Sequence, residues 1–312
     1  MSNGADTKSA LGPLNCSNQL QISKSHCKNK SDITCQQTSL APSIMTDQKK
    51  YTTKLVDQHI LVVGGSSGIG FGLAEALLEH GARVTISSSS ATKLSTAVSQ
   101  LSKAYASAAN KRYIASHACD LGDPSTLESN ITSLFAFTTS IAPLHHVVFT
   151  AGEALHTVRL DDLDMAKAHA AGTVRFFAPL LVAKHAARAL PKSPASSITL
   201  TSGTAGDKPP MPNWPLVAAY AAGLYGMARG LALDLRPLRV NVVAPGAVDT
   251  PLWTQTFDDD GEREAVLKSV GEGLLTGEVG RVEQVVEAFL WCLKDRFVTG
   301  EVVKTNGGAL IV

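Results

Sequence analysis

The chain has 312 residues, 44% hydrophobic and 18% charged, with a formal charge of +1 and a pI near 7.7. This balance excludes a strongly basic nucleic-acid binder or an anionic-membrane binder, and the length allows a sizeable buried core. Uninterrupted apolar stretches reach about eight residues against the roughly 20 of a transmembrane helix, and five cysteines without a CxxC pair indicate neither a disulfide framework nor a zinc site.

Residues 1–50 are rich in Ser, Asn, Gln, Lys and Thr and hold no aromatic residue. Such a segment buries too little apolar surface to offset its ordering entropy, so disorder is expected. Cys16, Cys27 and Cys35 fall in it at spacings that match no common metal motif. It lacks the apolar h-region of a secretory signal, and the first arginine, Arg83, comes late for a mitochondrial presequence. Met45 opens MTDQKKYTTKL, which reads as a start for the domain behind it, so the first 44 residues are expected to be dispensable or an artefact of start-codon choice. A reducing, cytoplasmic setting is expected.

The domain over 51–312 begins its regular pattern at His59. HILVVGG is a short apolar run ending in glycine, and FGLAEALLEHG has apolar residues at helical spacing before Gly81. RVTIS is a second apolar run. A Ser- and Ala-rich helix, the run YIASHA before Asp120, a helix from Pro124 and the run HHVVFTAG follow. A long Ala-rich helix is expected over 161–190, then SSITLTS, a helix over 216–236, RVNVVAPG, a helix over 282–294 and the closing VVKTNGG. Strands alternating with helices predict right-handed βαβ units and a parallel sheet covered on both faces. The expected fold is α/β: one doubly wound sheet of about seven strands, with ligand at the carboxyl ends of the strands.

In VVGGSSGIGFGLAEALL, Gly64, Gly68 and Gly70 follow a strand and open a helix. Glycines there permit a tight turn and let backbone N–H groups at the helix N-terminus approach a pyrophosphate. The spacing GxxxGxG differs from the GxGxxG of ordinary dinucleotide domains.

That spacing and four later landmarks resemble the short-chain dehydrogenase/reductase family, across residues 58–312. GGSSGIG resembles its glycine motif, which implies cofactor contacts at Gly64, Ser66, Ser67, Gly68, Ile69 and Gly70. CDLGD is similar to the segment that frames the adenine, implying Asp120 and Leu121. FTAG resembles the family's NNAG, keeping Ala151 and Gly152 but with Phe149 and Thr150 for both asparagines. In VNVVAPGAVDTPL, Pro245, Gly246, Val248 and Thr250 would flank the nicotinamide, and VTGEVVKTNGG resembles the closing strand, with Asn306 where Asp is usual.

An acid at the end of the second strand would select NAD and repel a 2′-phosphate. This chain instead has Ser87, Ser88, Ser89 and Ser90, with Lys93 a turn on, so NADP(H) is favoured.

The family's machinery is an Asn, a Ser and a Tyr-xxx-Lys pair, in which the Tyr protonates the alkoxide formed by hydride transfer. Anchoring on MARGLALDLRPLRVNVVAPG puts Val217 at the Tyr position and Ala221 at the Lys position. Anchoring on Tyr220 leaves Leu224 where Lys belongs. The Asn aligns with His169, and the Ser survives as Ser202 or, with a shift of one, falls on Gly203. A positioned acid contributes about 10²–10⁴-fold, so three routes are open. Tyr220, one helical turn from the lost position, or His169 would act with Ser202 as a relocated acid in a ketoreductase. An iminium substrate would need no acid. Or the chain would hold cofactor as a sensor or structural subunit.

His169 and Tyr220 each also read as packing residues. Trp214 and Trp253 are placed at the substrate mouth, as a lid over a large apolar ligand or as loop packing. His145–His146 read as a turn and Asp258–Asp260 as a solvated lid loop; no metal site is expected. The altered tetrad, TSGTAG and GRVEQVVEAFLWCLKDRFVTG resemble a divergent fungal branch of the family. That resemblance implies secondary metabolism, NADPH, a polycyclic iminium or carbonyl substrate, and a possible cycloaddition on the held product. It also implies a homodimer or homotetramer through the two long helices.

Overall fold

The computed structural model describes residues 48–252 and 259–312. The expectations for residues 1–47, and for Trp253 and Asp258, lie outside the described residues.

HILVV forms β1 (His59–Val63), buried at all five positions, the mark of a strand covered on both faces. α1 (Gly68–Glu79) leads to β2 (Arg83–Ser88), α2 (Ala91–Ala104), a short α3 (Ala106–Asn110) and β3 (Ile114–Ala118). α4 (Leu127–Ile141) returns the chain to β4 (His146–Phe149). After it come α5 (Met165–Gly172), α6 (Ala178–Ala189), β5 (Ser197–Thr201), α7 (Pro215–Asp234) and β6 (Arg239–Pro245). α8 (Asp260–Glu272), α9 (Val282–Lys294) and β7 (Val302–Thr305) complete the order.

The seven strands form one sheet, ordered β3-β2-β1-β4-β5-β6-β7, and every strand pairing is parallel. Alternation along each strand divides the core. Leu61, Val63, Val147, Phe149, Ile198 and Leu200 pack with α4, α6 and α7, whereas Ile60, Val62, Val84, Ile86 and Val148 pack with α1, α2 and α9. The order reverses direction between β1 and β4, which opens a crevice at their carboxyl ends.

The helix expected over 161–190 is broken. Asp164 caps α5 by accepting from the Lys167 N–H at 2.8 Å, and Thr173–Phe177 forms a π-helical turn before α6. Pro179 lacks the N–H that would bond four residues back, to Arg175. The ladder slips to five residues, with the Ala178 N–H on the Thr173 carbonyl.

His145–His146 are not a turn. His146 opens β4 fully buried, its ring nitrogens on Ser197 Oγ at 2.8 Å and Gln58 Oε1 at 2.7 Å. The expected loop ends at the exposed Asp259, which caps α8 by accepting from the Glu262 N–H at 3.0 Å, and Asp260 opens the helix.

α7 is long and apolar enough, by length and composition only, to cross a membrane. It is the crossover between adjacent strands β5 and β6, with Leu224 and Ala228 in the core.

Candidate functional site

The glycine turn between β1 and α1 builds the site's first wall. Gly64 has φ +91°, and a Cβ there would lie 2.4 Å from the Ala151 nitrogen. A Cβ on Gly70 would lie 2.2 Å from the Gly64 carbonyl oxygen. Backbone therefore fills the space that a side chain would take, and the Ala151–Gly152 segment closes on the turn. Ser67 stands at the N-cap of α1 without a side-chain cap bond, so the first-turn N–H groups stay available to an anion. Ser66 is half-buried beside it, and Ile69 packs on the core. Thr150, in place of the family's Asn, donates its hydroxyl to the Val63 carbonyl at 3.0 Å and pins the end of β1.

The second wall comes from β6. Gly246 donates its N–H to the Thr305 carbonyl at 2.9 Å, and a Cβ on it would meet Asn306 Cα at 2.9 Å. Val248 is buried. Thr250 Cβ lies 3.5 Å from where a Gly68 Cβ would stand, so the Pro245–Thr250 segment crosses over the glycine turn. Asp120 and Leu121 follow β3, Leu121 buried and Asp120 exposed, its Oδ1 accepting from the Gly122 N–H at 2.9 Å.

At the end of β2, Ser88 Oγ accepts from the Ser90 N–H at 3.4 Å, and Ser90 Oγ accepts from the Lys93 N–H at 3.2 Å as the N-cap of α2. Both hydroxyls keep a proton to donate, at the positive end of a helix. Ser89 and Lys93 are exposed beside them. Gly64–Gly70, Ser88–Lys93, Asp120–Leu121 and Pro245–Thr250 thus lie at the carboxyl ends of β1, β2, β3 and β6, and the bare amides, glycine cradle and carboxylate-free β2 end fit a dinucleotide diphosphate.

Ser202 follows β5, and its hydroxyl donates to the Ala221 carbonyl at 2.8 Å. The site residue that sequence reasoning missed on α7 is Tyr225. Its hydroxyl reaches the Gly203 carbonyl at 2.8 Å and Asp207 Oδ2 at 2.9 Å. Helical spacing was the available signal: residue 225 lies four beyond the lost lysine position and shares its face, while 220 lies one before it. Burial and the Asp207 carboxylate push the Tyr225 phenol well above its ordinary value, so it is a poor acid.

Tyr220 does not join Ser202 in any described hydrogen bond. Its hydroxyl donates to the Ala168 carbonyl at 2.9 Å, and its ring packs on Phe176 and Phe177. His169 is exposed on α5 with its ring edge against Phe177. The pair lies in the α5–α7 contact, with no described hydrogen bond to Ser202. Trp214 is half-buried at the N-cap of α7.

The π-helical turn supplies a second missed residue. It carries Arg175 inward, so that the guanidinium would stand 3.0 Å from a Cβ on Gly152 and donates to the Glu153 carbonyl. Arg175 Nε and Glu153 Oε1 are buried without a hydrogen-bond partner. Burial holds the guanidinium below its usual value, with Glu153 opposing. An apolar flank, VRFF in an Ala-rich helix, gave no sign that this arginine turns inward.

Sheet order and crevice together define a dinucleotide-binding protein of the Rossmann class. Residues 51–312 match the SDR-like Rossmann domain; the chain belongs to the short-chain dehydrogenase/reductase family of oxidoreductases. It is 44% identical to the short-chain dehydrogenase/reductase fsr5 of Gibberella fujikuroi, over 86% of this chain and 100% of that protein. It is similar to the solved structure of the MalC reductase/Diels-Alderase of Malbranchea aurantiaca, 38% identical with a TM-score of 0.78 over 84% of this chain and 100% of that one. A small-chain dehydrogenase solved in complex with NADPH matches at 26% identity and a TM-score of 0.63, over 82% of this chain and 100% of that one.

Proposed function

We propose that this chain is an NADP(H)-dependent reductase that transfers hydride to a C=N bond, as in a cyclic iminium, of a small or polycyclic secondary metabolite. The carrying observation is that each candidate hydroxyl is engaged by a backbone carbonyl: Ser202 by Ala221 and Tyr225 by Gly203 beside β5, and Tyr220 by Ala168 in the α5–α7 contact. An iminium already bears the charge that hydride neutralises, so its reduction develops no oxyanion and needs no acid. Ser88, Ser90 and Lys93 support NADP(H), as does the likeness to a dehydrogenase bound to NADPH. The likeness to a reductase/Diels-Alderase supports a bulky ring system and a further step on the held product.

Bound NADPH would supply the hydride. The chain's part is to hold the diphosphate on Gly64–Gly70, set the nicotinamide against Pro245–Thr250, and cover the substrate with Trp214. A second reading, reduction of a ketone, is favoured by Arg175, whose buried guanidinium would donate hydrogen bonds to a developing oxyanion.

The exposed apolar side chains Phe177 in the π-helical turn, Leu180 on α6 and Leu233 on α7 fit self-association as a homodimer or homotetramer. Cys119 and Cys292 are buried free thiols, in keeping with a reducing, cytoplasmic setting.

NADPH oxidation is measured against matched imines and ketones. Turnover of imines over ketones, with Tyr220→Phe and His169→Ala each within about threefold of wild type, is the expected result. Loss of about 10²-fold in either variant would restore the relocated acid, and binding without turnover of any substrate would favour a sensor.

A further inference from the structure

Asp207 lies in the turn between β5 and α7, and both its carboxylate oxygens are engaged. Oδ1 accepts from Lys304 Nζ at 2.6 Å, and Oδ2 accepts from the Tyr225 hydroxyl at 2.9 Å. The Lys304 ammonium also lies 5.9 Å from the centroid of the Tyr225 ring. These three side chains come from the β5–α7 turn, β7 and α7, and the Tyr225 hydroxyl carries their order to the Gly203 carbonyl.

The same turn is tied to the cofactor wall. Ser202 donates its N–H to the Val243 carbonyl at 2.8 Å, and Thr204 donates its hydroxyl to the Pro245 carbonyl at 3.3 Å. Lys304 pairs in register with Ala244 on β6. The side chains of Asp207 and Lys304 are 27% and 37% exposed, and a pair so wet adds little to global stability. Its effect is directional: it turns the Tyr225 proton toward Gly203 and Asp207, and the phenol oxygen faces the Ser202 hydroxyl, which also reaches the Ala221 carbonyl.

We propose that Asp207, keyed by Lys304 and Tyr225, is a positioning residue that fixes the Ser202–Thr204 turn beside the nicotinamide. This rests on the reading of the crevice as a hydride-transfer site.

The test uses the full chain with NADPH. Three quantities are read: calorimetric affinity, the fluorescence lifetime of the bound nicotinamide, and single-turnover hydride transfer to whichever imine or ketone wild type reduces. Asp207→Ala and Tyr225→Phe are expected to slow transfer about tenfold. Both should shorten the lifetime and leave NADPH affinity within about threefold, because the adenosine half is untouched. Asp207→Asn, which keeps an oxygen for Tyr225, is expected to recover most of the rate.

Transfer within about twofold of wild type in both variants overturns the proposal, and so does a parallel loss of rate and affinity. Tyr225→Phe carries the test if Asp207→Ala does not fold. If wild type binds NADPH but reduces nothing, the lifetime decides, an unchanged value overturning the proposal. If wild type binds no NADPH, the functional reading fails first, as the wild-type titration alone reports, and the proposal falls with it.

Discussion

At Gly64 the backbone sits at φ +91° with Ala151 packed where a side chain would project. Any L-residue there incurs both strain and a clash, each costing of order 1–3 kcal/mol. Gly64→Ala is expected to weaken NADPH binding at least about tenfold, measured by quenching of protein fluorescence. Unchanged affinity would mean that the diphosphate lies elsewhere. This residue was legible in the sequence because a turn that must admit a phosphate has to be glycine. Tyr225 and Arg175 were not legible from motifs. Tyr225 stands at a position where the family pattern assigns no role, and Arg175 depends on a slip of helical register.

That slip belongs to the scale of elements. Periodicity marks the apolar face of 161–190, but not that Pro179 removes a ladder bond and Thr173–Phe177 winds as a π turn. The consequence is an aromatic cluster: Phe177 meets Phe176 and Tyr220 edge to face, Phe176 and Tyr220 are tilted against each other, and a Cβ on Gly172 would lie 2.7 Å from Tyr220 Cζ. Gly172→Ala overpacks this cluster and is expected to cost about 1–3 kcal/mol, read as a lower urea midpoint with unchanged slope. The strands were legible throughout, since runs such as HILVV and RVNVV are covered on both faces and leave little ambiguity of type. The His145–His146 turn failed because two histidines read as polar, whereas Ser197 and Gln58 satisfy the second ring at the start of the central strand.

For the whole molecule, buried histidines set an acid limit. Burial holds His146 down to about 3 and His59 to about 4, against 6.5 for a free imidazole. Both stay neutral in the fold while the unfolded chain takes up protons. Their contribution is complete above pH 6.5 and is lost as pH falls toward 4 and then 3. The slope is at most roughly 1.4 kcal/mol per pH unit for each histidine. Urea midpoints should fall steadily between about pH 6.5 and 5, above the carboxylate range, and a flat profile there would contradict the burial.

The central claim, a nicotinamide dinucleotide held by the Gly64–Gly70 turn and the Ser88–Lys93 segment, is tested most directly by isothermal calorimetry of the folded full chain against NADPH and NADH. Saturable one-to-one heat, at least about tenfold tighter for NADPH, is predicted from the carboxylate-free end of β2. No heat with either nucleotide would contradict it.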